Sequence, residues 1–262
     1  MKYTYTTLII IATASISAFA TYTIMHNATS TQQPCTAVFT HTAPRAAYST
    51  TDAHGVYQTR PFDLAASGIQ LTPKQIDEHL VLYKKYVDKR NEIARTLQSV
   101  DKKALSKTFS AFRSLKVAET YAVNGQILHE LYFENIGAAA QPMGPLATAL
   151  ITDSFGSIEA FKTDILACGQ VARGWVLCAF SLDDGKLHNF VLEEHNSHVP
   201  VMALPMLVFD VYEHAYFMDY GTALAPYLEQ LWNHINWAVV EQRIETLVTP
   251  FNNNARASWT NT

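Results

Sequence analysis

The 262-residue chain has only three cysteines, Cys35, Cys168 and Cys178, and no C-x-x-C pair. That excludes a disulfide framework and a thiolate zinc site. Cys168 and Cys178 could pair in an oxidising compartment, but two small buried side chains are the simpler expectation. Cys35 lacks the small-residue context of a lipoprotein acylation site. There is no basic run either. Lys and Arg number 19 against 23 Asp and Glu, a formal charge of -4, which gives no reason to expect nucleic acid as a partner. No internal repeat is visible. What the chain has is apolar mass: 48% of residues are hydrophobic and 11% aromatic, enough for one large domain or two small ones.

The ends differ from the middle. Lys2 precedes an apolar stretch over residues 8–20, and Ala18-Phe19-Ala20 has the form of a signal-peptidase site. We expect an exported, periplasmic or secreted protein. Apolar residues continue to Met25, so an uncleaved membrane anchor is the alternative. Residues 21–60 are rich in Thr, Ala, Ser, Gln and Pro and read as a linker, with His26, His41 and His54 as solvated linker histidines. The Asn-rich tail of residues 251–262 reads as loose.

Between them the pattern predicts helices first and strands later. Thr72 is a plausible N-cap, Pro73 suits the first helical position, and Gln75 completes a capping box. The helix should run to about residue 97. His79, Tyr83 and Tyr86 share its apolar face with Ile76 and Arg90. A second helical stretch covers about 103–136, with a break near 113–116. Ala122, Gly125, His129 and Phe133 lie on one face of it. Gly125 is a costly residue inside a helix, by about 1 kcal/mol relative to alanine, so it asks for a reason. Gly, Ala and Pro over residues 137–145 suggest a hinge between domains at 61–140 and 141–250. Helices are expected over 146–155 and 157–170. A β-rich run over 174–182, the turn Asp183-Asp184-Gly185 and an alternating run over 186–192 make a hairpin. Residues 205–211 add a third strand, and residues 227–244 close the domain as one helix.

The chemistry concentrates where that third strand ends. Asp210 closes it and His214 follows four residues on. Carboxylate and imidazole are both good ligands for a first-row metal, although a lone D-x-x-x-H also fits a strand-end Asp and a surface His. The companions decide. Asp210-Val211-Tyr212-Glu213-His214-Ala215-Tyr216 resembles the D-x-W-E-H-A-Y signature of the iron/manganese superoxide dismutases. Trp232-Asn233-His234-Ile235-Asn236-Trp237 is similar to that family's W-N-x-x-N-W. Gly174-Trp175 matches its G-W, and His129-Glu130-Leu131-Tyr132-Phe133-Glu134-Asn135 its H-x-L-Y/F-W-x-N. The matches run in family order.

The resemblance implies an α+β fold, with an N-terminal helical hairpin followed by an α/β domain carrying a three-stranded antiparallel sheet. It implies one Mn or Fe ion per subunit, held by His79, His129, Asp210 and His214. Such a nitrogen and oxygen set without thiolate suits those metals. It implies superoxide as substrate and a homodimer, with a tetramer open, in which Glu213 reaches the partner subunit's metal histidine. Trp175 would wall the pocket. The outer hydrogen-bond donor would be His195 or His198, two residues that spacing does not separate. Tyr86 would gate the pocket. The family's run of histidines after the first ligand is missing, and the segment is one residue shorter. Tyr83 stands near the place of the gateway histidine, so two tyrosines could rebuild the gate. Phe217 replaces the tyrosine that bonds that histidine across the dimer. Gly125 resembles the manganese-type arrangement, leaving space over the metal. These departures motivate a rival expectation, an exported metal-binding or interaction protein on the same fold with weak or no dismutase activity.

Overall fold

The computed structural model describes residues 49–64, 67–137 and 139–250. The expected export segment, Cys35, His26, His41 and the tail from residue 251 lie outside them. The first helix, α1, spans Pro73–Ser99, and the second, α2, spans Ala111–Ile136. They pack as a hairpin. Thr72 caps α1 by accepting from the Gln75 N–H. The expected capping box does not form. Asp219 takes the Thr72 N–H and hydroxyl instead, which frees the Gln75 side chain for the chain that carries His214. The α2 helix starts later than the pattern suggested. Residues 101–109 form an exposed loop, and Ser110 is the N-cap.

Part of the expected linker is packed structure. The turn around Asp52–Gly55 closes on a bridge between Thr51 and Tyr57. Tyr57 exchanges two hydrogen bonds of 2.9 Å with Asn91 of α1. The Arg90 guanidinium lies 3.5 Å over the Tyr57 ring, a cation–π contact. Arg60 pairs with Glu134 of α2, which also holds Arg243.

Helices α3 (Pro145–Phe155) and α4 (Ile158–Val171) lead into the sheet. Its strands are β1 (Trp175–Ser181), β2 (Leu187–Leu192) and β3 (Ala203–Asp210), antiparallel in the order β2-β1-β3. The central strand β1 is buried on both faces, which is why it reads as a continuous apolar run rather than an alternation. Pro205 is tolerated because β3 is an edge strand with a register shift opposite Cys178 and Ala179. Both described cysteines are free thiols. Cys178 is buried, whereas Cys168 is half-buried rather than the buried residue expected.

After β3 come a 3-10 turn at Glu213–Ala215, α5 (Phe217–Tyr220), α6 (Leu224–Asn233), α7 (Trp237–Arg243) and a π-helical turn at Ile244–Val248. The single closing helix of the sequence pattern is thus two helices. The break falls where the Asn236 N–H leaves the helix to donate to the Asn135 carbonyl, 2.7 Å away. Asn135 also accepts from the Val208 N–H of β3, so α2, β3 and α7 meet at one buried amide. No described helix is long and apolar enough to cross a membrane.

Candidate metal centre

The hairpin and the sheet converge on His79, His129, Asp210 and His214. Their ligand atoms all lie within 4.8 Å of one another. His79 sits two turns into α1, and His129 lies on the inner face of α2. Asp210 ends β3, paired in register with Trp175 at the start of β1. His214 lies in the 3-10 turn that follows.

All three imidazoles aim at one atom. Asp210 Oδ2 is 3.1 Å from His79 Nε2, 3.3 Å from His214 Nε2 and 3.7 Å from His129 Nε2. The other oxygen, Oδ1, accepts from the Tyr212 N–H, which fixes the carboxylate plane. His129 donates through Nδ1 to the Gly125 carbonyl one turn earlier. Its Nε2 therefore carries a lone pair, and that atom is buried with no hydrogen-bond partner. A fully buried acceptor without a partner costs about 1–3 kcal/mol.

Electrostatics tell the same story. Burial pushes the His79 and His129 imidazoles below the usual histidine range, which keeps them neutral. Burial would raise Asp210, but the charge and hydrogen bonds of His214 and His79 outweigh it and hold the carboxyl well below its ordinary value. A buried carboxylate beside the neutral His79 and His129 is a site that a cation would stabilise. Two donors about 2.1 Å from one ion stand at most about 4.2 Å apart. The cluster needs only a small contraction to close on one.

A second layer sits around His129. The Trp175 indole stands edge-on, 5.0 Å between ring centres. Trp175 Nε1–H donates to His195 Nδ1 at 2.9 Å, and His195 Nε2 meets the Tyr86 hydroxyl at 2.6 Å. Because Nδ1 is the acceptor, neutral His195 carries its proton on Nε2 and donates to Tyr86. The Tyr86 hydroxyl then keeps its own proton free to donate. Burial keeps His195 neutral, its pKa lowered to about 4. Asn124 holds the loop by donating to the His195 carbonyl. His198 is different: it is exposed, with a left-handed backbone (φ 63°), and lies on the outer bend of the loop. Geometry separates the two histidines that spacing could not.

Two other expectations need correction. Tyr83 does not line the pocket mouth. It is buried, its hydroxyl donating to Glu130 Oε1 at 2.8 Å and accepting from the Arg60 N–H. One full turn past His79, it follows that ligand into the core, and Leu82 lines the mouth instead. Gly125 does not leave open space. A Cβ there would stand 2.6 Å from the Tyr86 ring, so the glycine makes room for Tyr86 itself. Glu213 is exposed and makes no side-chain bond to a described residue of its own subunit. It lines an open cleft of 540 Å³ with His214, Leu82, Phe217 and Lys85. His214 is the ligand candidate with an exposed edge, 29% of its side chain, and this cleft opens on it.

Some contributors were missed. Gln75 clamps the turn around His214, donating to the His214 carbonyl at 2.5 Å and accepting from the Met218 N–H. Tyr227 donates to the Asp210 carbonyl and meets Tyr132. Tyr121 lies with its ring centre 4.5 Å from that of His195. Its signal was present: Tyr121, Gly125 and His129 are spaced by four along one helix face.

A family model described as iron/manganese superoxide dismutases, C-terminal domain, matches residues 142–243. The superoxide dismutase [Fe] of Aquifex pyrophilus is 33% identical over 199 residues, 73% of this chain and 93% of that protein. The superoxide dismutase [Fe] of Cupriavidus metallidurans is 36% identical over 165 residues, 62% of this chain and 82% of that protein. A superoxide dismutase [Mn] from Mycobacterium lepraemurium is 32% identical over 127 residues, 47% of this chain and 61% of that protein. With a relative matched over nearly its whole length, a hairpin joined to a three-stranded sheet, and three histidines meeting one aspartate between them, this chain belongs to the iron/manganese superoxide dismutases.

Proposed function

We propose that the protein is an exported superoxide dismutase using one iron or manganese ion per subunit. The observation that carries this reading is the buried His129 Nε2, unpartnered and aimed with His79 and His214 at Asp210 Oδ2. Those four residues would hold the ion. When bound, iron or manganese supplies one-electron redox chemistry between the trivalent and divalent states, so that one superoxide is oxidised to oxygen and the next reduced to hydrogen peroxide.

The chain's own residues supply the rest. Asp210 contributes the anion that favours a highly charged cation, and the neutral His79 and His129 bind without losing protons. Reduction to peroxide consumes two protons. The Trp175–His195–Tyr86 chain has a fixed direction and leaves the Tyr86 hydroxyl proton free to be donated. Trp175 and Tyr212 exclude bulk water, with the Tyr212 ring stacked 5.1 Å from His214. Glu213 is exposed beside His214, and we propose a homodimer in which it meets the second subunit. Export rests on the apolar stretch and small-residue site of residues 8–20.

The rival is a metal-holding protein with little turnover, favoured by a mouth that holds Leu82 and Phe217 and lacks the expected Tyr83. Metal content and superoxide consumption measured on one purified sample separate the two. Turnover in proportion to bound iron or manganese supports the enzyme. Stoichiometric metal with no consumption beyond that of the free ion rejects it.

A further inference from the structure

The far end of the hairpin carries a surface unrelated to the metal. His79 and Ser99 are twenty residues apart on α1, about 30 Å along the helix axis. Beyond Ser99, residues 101–109 are exposed without interruption. Two large apolar side chains stand in that loop, Leu105 at 63% and Phe109 at 79% exposure. They are encircled by cations. Residues 100–116 contain Lys102, Lys103, Lys107, Arg113 and Lys116 against a single acid, Asp101, in a chain whose overall charge is -4. Glu119, one turn further along α2, pairs with Lys116. Lys102, Lys103, Lys107 and Arg113 have no carboxylate partner among the described residues. Between loop and helix lies an open groove of 510 Å³ lined by Leu105, Phe112, Lys107, Arg113 and Lys116.

Apolar side chains on a protruding tip with a cationic collar match the two layers of a lipid surface. The apolar tips enter the acyl boundary while the lysines reach back to the headgroups. A protein partner would be met more cheaply by a flat face than by an isolated exposed loop. A nucleic acid would leave Leu105 and Phe109 without a role. The chain has a second, independent sign of bilayer proximity in the apolar residues 8–25 of its sequence. We propose that the α1–α2 tip docks on an anionic phospholipid surface, Leu105 and Phe109 inserting and the lysines binding headgroup phosphates. The proposal does not depend on the metal or on dismutation.

The apolar N-terminal stretch could hold the full chain on any vesicle, so binding alone is not the readout; the environment of position 109 is. Phe109→Trp in the full chain is mixed with vesicles carrying brominated acyl chains, made of phosphatidylcholine alone or with phosphatidylglycerol. Emission is read as the difference from the parent, which has its own tryptophans. The expected result is a blue shift and quenching at position 109 with phosphatidylglycerol, weakened by salt and small with phosphatidylcholine alone. Each near-surface lysine is worth about fivefold in partitioning, so K102Q, K103Q and K107Q together should weaken the tip's response on the order of a hundredfold. Dismutation and metal content should stay unchanged, which excludes misfolding. A position 109 that stays in water with both lipids overturns the proposal. So does equal quenching by the two lipids, a response to DNA but not to phosphatidylglycerol, or a shift that depends on protein concentration without vesicles and so reports a second copy of this chain.

Discussion

The inner cluster and its mouth lie within a few side chains of each other, yet they obey different rules. Inside, every polar atom must find a partner, because an unpaired buried group costs more than most single contacts return. His79, His129 and Asp210 are buried, and each has one geometry that works. At the mouth, water can satisfy whatever the chain does not. There Leu82, Phe217 and Glu213 depart from the family pattern or stand without partners of their own subunit. The lesson is that the interior fixes which chemistry is possible, and the entrance only how readily it is reached.

The largest expected effect lies inside. Asp210→Ala removes the atom on which three imidazoles converge, and bound iron or manganese should fall below about one-tenth of the parent's by elemental analysis. Next comes the layer that orients the ligands. His195→Ala breaks the chain from Trp175 to Tyr86 and should cost about 10–100-fold in dismutation rate, whereas His195→Gln, which can still donate, should recover much of it. If the two variants behave alike, the hydrogen-bond chain is not what matters.

His195 also makes a pH prediction. Its folded pKa of about 4 lies below the unfolded value of about 6.5. The unfolded state therefore takes up the proton first as pH falls. The stability tied to keeping His195 neutral is complete above about pH 6.5 and is lost progressively toward pH 4. His195→Gln should flatten this part of the profile, read as the difference in denaturation midpoint between pH 7.5 and 4.5.

Smaller effects probe the boundary. Tyr83→Phe strips one hydrogen bond from Glu130, whose other oxygen is already without a partner. It should cost about 1–3 kcal/mol of stability with little change in rate per bound metal. A rate loss exceeding the stability loss would return Tyr83 to the gate. Phe217→Tyr, half-exposed at the mouth, should change stability by less than about 0.5 kcal/mol in denaturant.

How far the sequence could be read follows the same division. The helical hairpin and the three strands were legible because capping residues and periodicity are local, whereas the four candidate ligands were legible only through the resemblance of their flanking motifs to the family's. The Tyr83 side chain was misread because helical spacing puts it beside His79 without saying which way it leans; Glu130 and the Arg60 backbone decide that, and neither is local to it. Gln75 was assigned to its own helix because a capping box is a local pattern, while its partners lie in the turn around His214, far along the chain. The closing helix broke at Asn236 for a contact to Asn135, a hundred residues away, that no propensity encodes. His195 and His198 are equal in spacing and differ only once a left-handed backbone turns one of them outward.

The most direct test of the account is an anomalous-difference map of the crystallised protein, recorded at the iron and manganese edges. The account predicts one peak per subunit, bonded to Nε2 of His79, His129 and His214 and to Oδ2 of Asp210. A peak elsewhere, or an ion that leaves His129 Nε2 out of its ligands, would contradict it.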